Sequence, residues 1–300
     1  MGDYRITFAG ICALLAAVIA PLPVLGDGFS GYPTLWESHD PGLQGALDRT
    51  VRKLGLQRAV DQEKLSVTLV DITDIDDPRV ADVNGNHMMY AASLPKIAIL
   101  LGAFVEIERG KLDLDNDLFG AMNRMIRQSS NTDATDVLNI VGKDRVNQIL
   151  QSNRFRLYDP ATNGGLWVGK EYARGVAYRR DPLHNLSHGA TALQTARFYY
   201  LLESGQLVNS KLSRLMKFVL SRPAISHKFV KALEKKPQVE MFRKSGTWRH
   251  FHADSAIVEV GRHKYILTAL AEDPKGGAWL EAIAADVHTY MAPTKLAARQ

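Results

Sequence analysis

VEMFRKSGTWRHFHADSAIVEVGRHKYILTALAED, residues 239–273, decides the architecture. It divides into three runs, VEMFRKSGTW (239–248), HADSAIVEV (252–260) and KYILTALAED (264–273), with polar turns between them. Short runs rich in β-branched and aromatic residues and bounded by turns are strands. GGAWLEAIAADVHTYM (276–291) follows with helical spacing of its apolar residues and closes the set. Toward the other end, GLQGALDRTVRKLGL (42–56) is an amphipathic helix, and KLSVTLVDIT (64–73) and RVADVNGNHM (79–88) are strands. A second helix runs from Ser93 to about Arg109 and ends at Gly110. The middle, roughly 115 to 220, is mostly helical, apart from a long irregular stretch at 154–189. A loop of that length is usually functional or disordered. Strands at both ends with helices between them predict one sheet assembled from both termini and a helical subdomain inserted in the middle. That is an α+β enzyme architecture with a cleft where the two parts meet.

Three hundred residues, 46% hydrophobic and 23% charged, describe an ordinary globular chain able to bury a sizeable core. The net charge of +5 is modest and no block of five or six Lys/Arg occurs, which argues against a nucleic-acid groove. MGDYR, the apolar run ITFAGICALLAAVIA and VLG before Asp27 have the layout of a secretory signal peptide cleaved after Gly26. The prolines at 21 and 23 make the run short for a permanent anchor. Residues 1–26 are therefore expected to be a signal peptide and 27–300 the mature domain, exported and most simply periplasmic. The single cysteine, Cys12, falls in the leader. A mature chain without cysteine has no disulfide scaffold, thiolate zinc site or cysteine nucleophile.

Three short motifs carry candidate chemistry. Ser93-Leu94-Pro95-Lys96 begins the second helix, where residues three apart share a face, so hydroxyl and amine can meet. A serine hydroxyl needs a base, and lysine becomes one when its pKa is lowered. The bland alternative is a serine N-cap with a solvated lysine. Ser129-Ser130-Asn131 sits at a break between helices, where such residues also serve as caps. There Ser129 can relay a proton to a leaving nitrogen and Asn131 can hold an amide. Lys244-Ser245-Gly246-Thr247 lies in a strand, where an outward lysine on an edge would be the bland reading. Its glycine would admit a substrate backbone, its lysine would meet a carboxylate and Ser129, and the N–H groups of Ser93 and Thr247 would form an oxyanion hole.

Together SLPK, SSN and KSGT resemble the active-site serine penicillin-recognising enzymes, and within them the class A β-lactamases. The resemblance runs from about residue 45 to 291. It implies a five-stranded antiparallel sheet flanked by helices, the sheet part from about 45–92 and 221–291 and the helical subdomain from about 93–220. It also implies Ser93 as the acylated serine, Lys96 as base, Ser129 as proton relay and Asn131 as amide contact. Lys244, Ser245 and Thr247 would form the carboxylate-binding strand, with Gly246 among them, and Asp254 resembles an acidic residue common on the next strand. The implied enzyme is a cofactor-free, metal-free monomer hydrolysing a β-lactam or related amide. A D,D-peptidase acting on peptidoglycan peptides and a non-turnover binding or sensor module are the alternatives.

The chain departs from that family at several points. SSN lacks the usual Asp in its middle position, and the link from Lys96 to Ser129 is shorter. β-Lactamases carry in the long loop a glutamate followed by an asparagine that activates water, and RLYDPATNGGLWVGKEYARG shows no such pattern. Asp159 and Glu171 are the nearby carboxylates, with Glu171 the candidate substitute. His250, His252 and Arg249 follow the Lys244 strand, and one of them is a candidate for the substrate carboxylate in place of an arginine many relatives use, with a solvated hairpin turn as the bland reading. Trp167 has two readings, body packing or substrate stacking. His184 and His188, four apart in a turn-rich stretch, make a poor zinc pair.

Overall fold

The computed structural model describes residues 34–292, so the expected leader, its cleavage point and Cys12 lie outside the described residues. Helices α1 (Pro41–Lys53) and α2 (Gln57–Asp61) lead into strands β1 (Leu65–Asp71) and β2 (Arg79–Val83) and the two-residue β3 (Met89–Tyr90). Four helices follow, α3 (Lys96–Glu108), α4 (Asn116–Arg127), α5 (Asn131–Val141) and α6 (Lys143–Gln151). Short strands come next, β4 (Tyr158–Asp159), β5 (Gly164–Gly165), β6 (Trp167–Val168) and β7 (His188–Ala190). Helices α7 (Ala192–Glu203), α8 (Ser210–Leu220) and α9 (Phe229–Leu233) precede the long strands β8 (Val239–Trp248), β9 (Phe251–Val260) and β10 (His263–Glu272), and α10 (Gly276–Met291) ends the fold. Among the described residues no helix is long and apolar enough to cross a membrane.

The main sheet is five-stranded in the order β2-β1-β10-β9-β8, antiparallel throughout, so the two ends of the chain do build one sheet. Both faces of the sheet are covered. Leu65, Val67 and Leu69 of β1 join Leu47 of α1 and Leu280, Ile283 and Val287 of α10 in one core, while Val70 faces the helical side. On that side α3 is the axis: every residue from Lys96 to Glu106 is buried. A helix covered all round must sit inside a bundle, and α3 does, among α4, α5, α6 and α8.

Strand β8 is the edge of the sheet beside the helical part, and it is tied down from within. Arg243 donates two hydrogen bonds of 2.7 Å to Asp254 across the β8–β9 pair, with both side chains buried. Removing one partner of such a pair strands a charge, a loss of about 3–5 kcal/mol. The 154–189 stretch is less irregular than its sequence. β3, β7 and β6 form a small sheet, and the buried carboxylate of Asp181 accepts from the backbone N–H of Leu183, His184 and Leu186. Trp167 belongs to the body: it is 3% exposed and donates to the Arg179 carbonyl.

Candidate active site

Ser93 stands in the turn between β3 and α3. The helix begins at Lys96 with Pro95 at its N-cap, so Ser93 precedes the first helical turn instead of opening it as the spacing predicts. Ala92 before it has φ 51°, a left-handed conformation that a non-glycine residue holds only when its surroundings impose it. Gly246 on β8 is what permits the fit. A Cβ there would lie 2.2 Å from the Ala91 carbonyl oxygen and 2.8 Å from the Ser93 nitrogen, so any side chain would push the turn off the strand. Among the described residues neither the hydroxyl nor the N–H of Ser93 makes a hydrogen bond.

Lys96 is fully buried, and its Nζ donates to the Ser129 carbonyl (2.7 Å), to Asn131 Oδ1 (2.8 Å) and, at 3.4 Å, to Ser129 Oγ. It therefore points at the second motif, and the hydrogen bond to Ser93 expected from shared helix faces is not formed. Burial pulls its pKa down to about 7, and Asp133 opposes this. Ser129 is itself left-handed, with φ 58°, at the break between α4 and α5. Ser130 takes the capping role, accepting from the Asp133 N–H, and this frees its two neighbours for other work.

Lys244 is 1% exposed and faces inward, not outward from the edge. Its Nζ donates to Ser129 Oγ at 2.9 Å and to the Ser245 carbonyl at 2.7 Å. Burial, then the nearby Lys96, lower its pKa. The Ser129 hydroxyl thus accepts from two amines. A hydroxyl has two lone pairs and one proton, so that proton is left free to be donated. Asn131 likewise accepts from Lys96 through its oxygen and keeps its NH2 for a ligand.

These groups open into a cleft of about 1030 Å³ lined at its base by Ser93, Asn131 and Thr247 and walled by Tyr90, Tyr172, His188 and Phe251. Tyr172 carries no motif in the sequence yet lies against Lys96 and the Ser93 turn. Its ring covers Lys96, with Nζ 4.5 Å from the centroid, its hydroxyl donates to the Ala92 carbonyl, and it packs against His188 at 4.4 Å. Burial keeps the phenol protonated and holds His188 neutral, with a pKa of about 4.

The carboxylates are elsewhere. Glu171 reaches the cleft rim, but its carboxylate pairs with Lys143 at 2.5 Å, and that contact lowers its pKa. Asp159 pairs with Arg156. Arg249 is exposed in the β8–β9 turn beside Trp248. The His252 ring lies against Gly276 and Gly277 at the start of α10, both nitrogens buried and unpartnered. Neither Arg249 nor His252 is among the residues that line the cleft, so the structure lends no support to either as the contact for a substrate carboxylate. Lys228, unmarked in the sequence, is the buried cation at that end of β8: its Nζ donates to Gly246, Thr247 and Ala253. His184 bonds Asn163, away from the cleft-facing His188.

The chain matches the model of the beta-lactamase enzyme family over residues 47–119 and 120–291. Its fold is similar to that of a beta-lactamase from Sphaerobacter thermophilus, at 14% identity and a TM-score of 0.65, covering 84% of this chain and 98% of that one. It is also similar to a mutant of PBP-A solved as an acyl-enzyme complex with penicillin G, at 16% identity and a TM-score of 0.64, covering 83% and 96%. A variant of the class A beta-lactamase of the last common ancestor of Gram-negative bacteria gives 15% and 0.63, covering 82% and 100%. At these identities the likeness is one of fold. No curated protein matches the chain by sequence.

Proposed function

The chain belongs to the beta-lactamase enzyme family, and from that premise we propose that it is a serine amide hydrolase that acylates Ser93 readily and releases the acyl group slowly. The observation that carries this reading is the hydrogen-bonded group of Lys96, Ser129, Asn131 and Lys244, both lysines buried, with the ring of Tyr172 lying over Lys96. In the first half-reaction the Ser93 hydroxyl attacks the carbonyl carbon and Lys96 takes its proton. The Ser93 and Thr247 N–H groups hold the oxyanion. As the C–N bond breaks, Ser129 donates its proton to the leaving nitrogen and is reprotonated from the neighbouring amines. The product is an ester on Ser93.

Breaking that ester needs water and a base. Glu171 is engaged by Lys143, Asp159 by Arg156, and the ring of Tyr172 shields Lys96. Hydrolysis is accordingly the slow step. The substrate presents an amide or lactam carbonyl beside a carboxylate, as β-lactams and peptidoglycan peptides do. Lys170, Arg174 and Arg180 on the rim favour an anion, since Glu171, the one carboxylate among the lining residues, is already paired. Export by residues 1–26 would bring the enzyme to such substrates. Tyr172 also favours a second reading, a penicillin-binding peptidase in which the acyl group waits for an acceptor.

Intact-protein mass after mixing with a β-lactam, followed over time, tests the proposal. The expected record is a stoichiometric adduct that outlasts the mixing step by far, with little drug consumed beyond one equivalent. A transient adduct with steady drug loss would mean efficient hydrolysis and overturn slow release. No adduct would remove β-lactams as acyl donors. Glu171→Gln should leave the adduct lifetime unchanged; a longer lifetime would make Glu171 the water activator after all.

A further inference from the structure

Lys228 lies just before α9 with φ 51° and ψ −117°, a backbone conformation a lysine keeps only under constraint. The side chain is 4% exposed. An ammonium has three protons to donate, and here three acceptors are in place: the Gly246 carbonyl at 2.6 Å, Thr247 Oγ1 at 2.8 Å and the Ala253 carbonyl at 3.0 Å. Gly246 and Ala253 face each other across the β8–β9 pair. No proton of Lys228 is left to reach into the cleft, so whatever its charge does there it does through these partners.

The partner that matters is the Gly246 carbonyl. It belongs to the same planar peptide as the Thr247 N–H, and in a trans peptide the two point in opposite directions. With the carbonyl turned inward to Lys228 and Ala253, the N–H is turned to the open edge of β8, beside the Ser93 turn that Gly246 admits. We propose that Lys228 is a positioning residue for the oxyanion hole, its ammonium fixing and polarising the Gly246–Thr247 peptide so that the Thr247 N–H becomes a stronger and better aimed donor. The inference rests on the acyl-enzyme reading above. Hydrogen bonds in series polarise one another, and a donor aimed at developing negative charge acts most strongly where water is excluded.

The test uses the Ser93 ester formed from a β-lactam, observed by infrared spectroscopy at its carbonyl stretch, which falls as the oxygen is more strongly held. Lys228→Met should raise that frequency and slow acylation about tenfold, less than the hundredfold or more seen when an oxyanion donor is removed outright. Lys228→Arg, which keeps the charge and the donors, should restore both. Burial lowers the Lys228 pKa to about 8, with Asp254 opposing, so in the unmodified protein the frequency should also rise as pH passes about 8. Asp254, Arg243, Lys244, His227 and His252 face the same group, with Lys96 beyond. All of these persist in Lys228→Arg, so any step they cause, such as that of Lys96 near pH 7, is common to both proteins, whereas the step near pH 8 should be missing from Lys228→Arg, whose own charge does not titrate. A step near pH 8 that survives in Lys228→Arg, or a Lys228→Met ester with unchanged frequency and formation rate, overturns the proposal. The pH series needs no substitution that could unfold the protein. If the unmodified protein forms no ester, the acyl-enzyme reading fails first, visibly and before any variant is made.

Discussion

Replacing Ser93 by alanine should give a folded protein that never gains mass from a β-lactam. The hydroxyl is half-buried and bonded to nothing among the described residues, so its removal strands no donor or acceptor. A substitution of that kind changes stability by only about 0.5 kcal/mol. Chemistry, by contrast, should be lost entirely. Of the other nearby hydroxyls, that of Thr247 accepts from Lys228, and that of Ser129 accepts from both Lys96 and Lys244 and lies at the helix break. Intact mass and thermal unfolding, measured on the same sample, separate loss of the nucleophile from loss of the fold. An adduct forming at the unmodified rate would move the nucleophile to another residue, and peptide mapping would find it.

Lys96→Ala should slow acylation by about a hundred- to ten-thousandfold, the span general-base removal produces. Burial sets the size of this effect. At the ordinary lysine pKa, about one amine in three thousand would be neutral at pH 7, whereas a pKa of about 7 leaves roughly half able to accept a proton. Since the neutral form is the base, acylation by the unmodified enzyme should rise with pH through about 7 and then level. The alanine variant should lack that inflection as well as the rate. Loss of the amine leaves the Ser129 carbonyl without its donor but also relieves the cost of a buried ammonium, so the kinetic effect is expected without a large fall in stability. Nζ faces Ser129 and Asn131; catalytic contacts often tighten only when substrate arrives. Stopped-flow acylation across pH 5 to 9 would decide, and an unchanged rate and profile would take Lys96 out of the mechanism.

The long strands were legible because their chemistry is local. VEMFRKSGTW coincides with β8, and the alternation and turns of 239–273 correspond to three neighbouring strands. The grouping of Ser93, Lys96, Ser129, Asn131 and Lys244 followed from a resemblance carried by short motifs, since nothing in their separate spacings brings Lys244 to Ser129 across 115 residues. Other features depend on backbone conformations that no residue pattern announces. Ala92, Ser129 and Lys228 are left-handed without being glycine, so the offset of Ser93 from its helix and the inward reach of Lys228 were both hidden. Strand register disposed of His252. It sits opposite Thr247 and packs on the start of α10. Arg249 occupies the turn itself and stays outside the cleft.

Glu171 and Tyr172 are adjacent, yet one reaches out to Lys143 and the other inward over Lys96. The chain bends at Tyr172, and the two neighbouring side chains leave it in different directions. Sliding this segment by a single position would set a carboxylate where an aromatic ring now lies, with the sheet, the helices and the three motifs untouched. On the reading proposed above, holding an acyl group and letting it go would differ by the length of one peptide unit in this segment.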